Sequence, residues 1–167
     1  MKILHLTTFL QGGAGRIIAD LAAFQQRLGH EVTVVTSRTP TSGYGNYQAY
    51  LDRLRDGGLP VHEVDSLFHR DFDANLAVVR AVGEVFRPGA EPDVIHSHAA
   101  VPTFIGRMFG GARGVELPIV QTMHGWGVSK TVSQAAWDIG LMNLADRVAV
   151  PSAHSARLLA SRGLPWS

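Results

Sequence analysis

No cysteine occurs in the 167 residues. Disulfide scaffolds, Cys-ligated zinc, haem attachment and thiol catalysis are excluded with it, and a reducing compartment suits the chain. Lysine is nearly absent as well: only Lys2 and Lys130 occur among fifteen basic residues, the rest being Arg. Against fourteen acids these leave a formal charge of +1, which is not the footprint of a nucleic-acid binder. No stretch reaches the ~20 mainly apolar residues that a bilayer-crossing helix requires. Lys2-Ile3-Leu4 could open a signal peptide, but His5 and Thr7-Thr8 cut its apolar run short, so a cytoplasmic protein is expected. Charged residues make up only 17% of the chain and hydrophobic ones 46%, a composition that excludes disorder. At roughly 150 residues per domain the length predicts one domain, large enough to bury about 70% of its unfolded surface.

What the chain does have is a rhythm of short apolar runs and helical patterns. Strands are predicted at Lys2–Thr8, Glu31–Thr36, Val61–Val64, Asp93–Ser97, Pro118–Met123 and Arg147–Val150. Between the first two, Ile17, Ile18, Leu21, Phe24 and Leu28 recur at helical spacing, and Gly29 stands where a helix ends in a left-handed residue. Further helices are predicted over Asp73–Phe86, Val101–Phe109, Ser133–Asn143 and Ala153–Arg162. Ser152 is placed to cap the last of these and Gly163 to end it. Ser37–Leu59 breaks the rhythm with four glycines and three tyrosines and reads as a long excursion with a short helix near Tyr47–Arg55. Strands alternating with helices imply an α/β fold: a doubly wound, mainly parallel sheet with helices on both faces. Ligands in such sheets bind beyond the carboxyl ends of the strands. Those ends here carry Thr7-Thr8, Ser37-Arg38, Ser97-His98, Thr122 through Gly125, and Pro151-Ser152.

Three stretches carry chemistry. Gln11-Gly-Gly-Ala-Gly-Arg16 joins the first strand to the first helix, where glycines admit a ligand close to the backbone and free amides favour an anion. It is not a dinucleotide fingerprint: the third glycine position is Ile18, and Thr36-Ser37-Arg38 stands where a ribose-binding acid is expected. Asp93-Val-Ile-His-Ser-His98 sets His96 and His98 on one face of a strand, with His96 expected to be packed or hydrogen-bonded and His98 to face the cleft. A metal site made with His124 is set aside, since no carboxylate partner is identifiable. Thr122-Met-His-Gly-Trp-Gly-Val-Ser-Lys130 presents an imidazole beside an aromatic wall, a pairing suited to a sugar ring and its hydroxyls, against the plainer reading of Trp126 as a core plug. Neither a P-loop nor a G-x-S-x-G elbow occurs. Asp71 and Asp73 read as a solvated helix start. From Val94 onward six bases face three acids, a lean toward anionic partners.

These stretches, in order, resemble the N-terminal domain of family 4 retaining glycosyltransferases of the two-domain GT-B architecture. The resemblance rests on Lys2 through Arg16, Leu28-Gly-His-Glu-Val32, Asp93 through His98, Pro118 through His124, and Ala145-Asp-Arg147 running to Ser152. It implies a Rossmann-like, acceptor-side domain over residues 1–167 and transfer of a sugar, with retention, from a nucleotide sugar to a saccharide or lipid-linked acceptor in envelope or polysaccharide synthesis. By the same resemblance His124 lies at the reaction centre. Gly12, Gly13, Gly15, Arg16, His98, Thr122, Gly125, Trp126 and Ser152 line the donor-diphosphate or acceptor site, with amides and imidazole stabilising charge on the leaving phosphate. No metal or other cofactor is expected, the nucleotide sugar being a co-substrate. The family's second, nucleotide-gripping domain has no counterpart before Ser167, so the chain by itself is expected to be inactive. Two alternatives stand beside this: a non-catalytic acceptor-binding subunit that works with a separate donor-binding chain, and an NADP-dependent oxidoreductase. Tyr44–Arg55, with Arg53 and Arg55 among aromatics, leaves room for peripheral contact with the inner face of a membrane.

Overall fold

The computed structural model describes residues 1–65, 67–127 and 130–164. Ser129 of the Thr122–Lys130 stretch and the Pro165–Ser167 tail, where continuation toward a second domain is expected, lie outside the described residues. Twelve elements alternate: β1 (Lys2–Leu6), α1 (Gly12–Arg27), β2 (Glu31–Ser37), α2 (Gln48–Asp56), β3 (Val61–Val64) and α3 (Phe72–Val85). The second half repeats the pattern with β4 (Val94–Ser97), α4 (Ala100–Arg113), β5 (Ile119–Thr122), α5 (Val132–Met142), β6 (Arg147–Ala149) and α6 (Ala153–Ala160). The strands form one sheet in the order β3-β2-β1-β4-β5-β6, every pair parallel. Each element expected from the sequence is present, its ends displaced by a few residues.

Alternation along the strands sorts the core onto two faces. Leu4, Leu6, Val35 and Ile95 pack with Val78, Val82, Ile105 and Phe109 from α3 and α4. On the other face Ile3, Val32 and Val34 meet Ile18, Ala19 and Ala22 of α1 and Leu51 and Leu54 of α2. A third group joins Met123 to Ile139 and Met142 of α5 and Leu159 of α6. Helix ends follow local chemistry: Asp71, Thr131 and Ser152 each accept a backbone N–H at a helix start, and Gly29 and Gly163 take φ of +84° and +90°.

Two helices differ from expectation. The Gly12–Arg16 stretch, read as a loop, is the opening of α1. Glycine is needed inside this helix because Gly15 lies against the backbone of Leu10: a Cβ there would stand 2.5 Å from the Leu10 carbonyl carbon and 3.0 Å from Tyr50 Cδ2. At its other end α4 runs past Phe109 through Gly110 and Gly111 to Gly114, which turns left-handed at φ +67°. Gly110 is fixed there by the Val115 carbonyl oxygen, 2.9 Å from where its Cβ would be.

The Ser37–Leu59 excursion is tied down by Asn46. Its Oδ1 accepts from the Leu10 amide (2.7 Å) and the Thr36 hydroxyl (2.9 Å), and its Nδ2 donates to the Ser37 carbonyl (2.7 Å). Gln11 reinforces it, bonding the Gly43 carbonyl and the Gly45 amide.

Candidate functional site

The sheet order reverses at β1, which has β2 on one side and β4 on the other. In open parallel sheets this divergence leaves a crevice beyond the carboxyl ends of the strands. A cleft of about 700 Å³ lies there, lined by Thr7, Thr8 and Phe9 after β1, His98 and Ala99 after β4, and Met123 through Gly127 after β5. Ala14 and Ile18 of α1 and Ala100 and Val101 of α4 close it on the helix side. Neither α1 nor α4 has a side chain capping its first turn, so their opening amides are left for other acceptors.

A file of imidazoles runs beneath the cleft and reaches its surface at His98 and His124. Gln25 Oε1 lies 2.7 Å from His5 Nε2, His5 Nδ1 lies 2.9 Å from His98 Nε2, and His98 Nδ1 lies 3.0 Å from His124 Nε2. His96 stacks on His98 with ring centroids 4.4 Å apart and pairs through Nε2 with the Thr122 hydroxyl at 2.8 Å. Register builds this file: β1 and β4 pair with His5 directly opposite His96. Burial disfavours the charged ring. It pushes His5 down to about 4, with the Gln25 hydrogen bond pulling partly back. His96 falls to about 4 through burial and then the neighbouring His5 and His124, and His98 falls well below its ordinary value for the same reasons. Burial lowers His124 as well. At neutral pH all four rings are neutral. His5, His96 and His98 each bring a ring nitrogen within 4.8 Å of the others and could together surround a metal ion, but the facing nitrogens of His5 and His98 are already engaged with one another.

The opposite rim is charged. Asp138 of α5 is buried and takes a two-pronged hydrogen bond from Arg70, Nε and one terminal nitrogen each at 2.9 Å. Lys130 Nζ bonds the same carboxylate. Burial alone raises the Asp138 pKa, but the bonds and charges of Arg70 and Lys130 outweigh it and hold the carboxyl below its usual range. Lys130 and Arg162 also lie over the Trp126 ring, 4.4 and 5.1 Å from its centroid.

The model of Glycosyltransferase Family 4 matches residues 11–167. The chain belongs to that family. Its fold is shared with HepE of Anabaena in complex with UDP, at 19% identity over 98% of this chain and 41% of HepE, TM-score 0.69. Sucrose-phosphate synthase from Thermosynechococcus elongatus is similar at 12% identity over 96% of this chain and 45% of that one, TM-score 0.69. UDP-GlcNAc 2-epimerase from Neisseria meningitidis bound to UDP-GlcNAc is similar at 15% identity over 99% and 44%, TM-score 0.61. At these identities the likeness is one of fold, and the chain spans less than half the length of each. The expected family and the Rossmann-like α/β architecture are borne out.

In this family 4 chain the expected site residues fall into two groups. His98, His124, Gly125 and Trp126 line the cleft, and Thr122 supports the file beneath it through His96. Trp126 answers both of its readings, lining the cleft while packing against the Met123 cluster. Of the glycine stretch, Ala14 reaches the cleft, and a Cβ at Gly12 or Gly13 would meet nothing within 4 Å. Gly15 is a packing position, Arg16 is exposed and pairs with Asp20, and Ser152 caps α6. Arg53 and Arg55 of the excursion pair with Asp20 and Glu63, and no described helix is long and apolar enough to cross a membrane. Sequence reasoning missed His5, Gln25, Arg70 and Asp138. His5 did carry a signal, an imidazole in an otherwise apolar strand two residues before the strand's polar end. Arg70 and Asp138 lie 68 residues apart, and no local pattern joins them.

Proposed function

We propose that the chain is the acceptor-side half of a retaining glycosyltransferase, transferring sugar from a nucleotide sugar to a saccharide or lipid-linked acceptor in envelope or polysaccharide synthesis. The observation that carries this reading is the cleft at the sheet reversal, where uncapped amides of α1 and α4 meet His124 and Trp126 on one surface. Amides at helix starts suit the donor's diphosphate, and charge developing there as the sugar leaves is best met by donors fixed in advance. The imidazole and indole suit the sugar itself, through a hydroxyl and a ring face. A nucleotide-gripping domain supplies the rest of the donor site, and the reaction calls for no metal. HepE and the epimerase, which share the fold, are complexed with UDP and UDP-GlcNAc, consistent with a nucleotide-sugar donor.

Saturation-transfer NMR tests this with UDP, GDP, UDP-glucose, NADPH and candidate sugar acceptors. Sugars or UDP-glucose are expected to respond, and His124→Ala or Gly13→Val to weaken that response at least fivefold. The glycine variant is informative because a Cβ added there meets nothing of the protein within 4 Å. Tight NADPH binding with no response to any sugar would replace this reading with an oxidoreductase.

A further inference from the structure

The histidine file has a direction. A neutral imidazole carries one N–H and one lone pair, so in a chain of such rings each bond fixes the next. Gln25 Oε1 can only accept, so the proton of His5 sits on Nε2 and its Nδ1 is a lone pair. His98 must then donate from Nε2 to His5, leaving His98 Nδ1 as an acceptor. His124 in turn donates from Nε2 to His98. Its other nitrogen, Nδ1, diverges from that bond and has no hydrogen-bond partner among the described residues. His124 itself lines the cleft. Protonating any ring inside the file would set two N–H groups against each other, and burial holds the rings neutral. No carboxylate bonds any ring of the file among the described residues.

We propose that Gln25, His5 and His98 are positioning residues that fix the tautomer of His124, so that the cleft meets an unprotonated Nδ1. That atom accepts a hydrogen bond from a hydroxyl and repels a phosphate oxygen. The cleft therefore divides its ligand: phosphate oxygens go to the amides of α1 and α4, and a hydroxyl goes to His124. The assignment of that hydroxyl to a sugar rests on the glycosyltransferase reading; the tautomer does not. It also reverses the expectation that the imidazole stabilises a leaving phosphate, since a lone pair cannot.

Nitrogen NMR of the protein labelled with 15N-histidine reads the tautomers directly, because protonated and bare ring nitrogens resonate far apart. In the unliganded protein His124 is expected to show a protonated Nε2 and a bare Nδ1, with His5 bare at Nδ1 as well. Gln25→Met keeps the length and bulk of the side chain but removes the acceptor. It is expected to leave the fold intact while the His5, His98 and His124 signals shift together toward a mixture of tautomers. A protonated Nδ1 on His124 in the unsubstituted protein would overturn the proposal, as would a His124 tautomer indifferent to Gln25→Met. Zinc binding that shifts His5, His96 and His98 as one set in the unsubstituted protein would also overturn it, making the cluster a metal site. Adding UDP-glucose separates the two readings. The expected tautomer with no ligand response would leave the file standing and count against glycosyl transfer.

Discussion

Two groups of buried polar side chains border the cleft. His5, His98 and His124, joined by Gln25, meet no carboxylate among the described residues, whereas Asp138 meets two cations, Arg70 and Lys130. In the first group burial outweighs the one opposing contact, the Gln25 hydrogen bond to His5, and the rings stay neutral, so the freedom left is which nitrogen holds the proton. In the second, two counter-charges overcome burial and the carboxylate stays ionised. Burial of a titratable group is therefore not one effect, and the partner supplied with it decides the sign.

Acid should separate the two groups most sharply. An unfolded histidine takes up a proton near pH 6.5, but folded His5 and His96 hold theirs off to about 4. Between those values the unfolded chain binds more protons, so stability falls as the pH drops from 6.5 toward 4. Each of the two contributes a loss on the order of 3 kcal/mol across that window, and His98 adds to it. Asp138 loses stability in the same direction but in a lower window. Its contribution is complete above the ordinary carboxyl value of about 3.9 and is lost only as pH falls below it toward the lowered folded value. Urea unfolding at pH 7 and pH 5 should therefore show a large drop that belongs to the histidines alone. Stability that stays level down to pH 4.5 would mean the file is charged in the folded protein.

Asp138→Asn breaks the other half of the comparison. It keeps the shape but strands Arg70 and Lys130, both more than two-thirds buried, without a counter-charge. A loss of about 3 kcal/mol at pH 7 is expected, read as a lower urea midpoint. The slope of stability between pH 6.5 and 4.5 should not change. If it does, the charged rim and the histidine file are coupled.

The same contrast explains what could be seen in the sequence. The strands were legible because buried parallel strands are short apolar runs ending in turn residues, and Gly29, Gly163 and Ser152 declared helix ends through local chemistry. His98 and Trp126 could be placed in the cleft because the position of a strand's end is itself a local fact. Gly15 misled, since a glycine two residues after a glycine pair reads as loop, and only the closeness of Leu10 and Tyr50 shows why a helical position there takes glycine. The histidine file depends on the pairing of β1 with β4, which sets residues 91 apart face to face. The Arg70–Asp138 bond depends on packing across the cleft. Partnerships that decide charge are long-range, so the type of each buried group was readable and its state was not.

Asn75 supplies a third way to bury a polar group and the smallest expected effect. It stands in the first turns of α3, fully buried, and neither atom of its amide has a hydrogen-bond partner among the described residues. Where the histidines satisfy one another and Asp138 is satisfied by cations, Asn75 has neither remedy and carries a desolvation penalty of about 1–3 kcal/mol. Asn75→Leu keeps the branching and the heavy-atom count and removes the two polar atoms without opening a cavity, although its methyl groups make it the larger side chain. The urea midpoint should rise by the equivalent of about 1 kcal/mol, less than the full penalty because the branched side chain must still find a rotamer. A fall instead would show that the amide is satisfied in solution, by a buried water for example. Asn75 would then join the other two groups as a buried polar site with a partner.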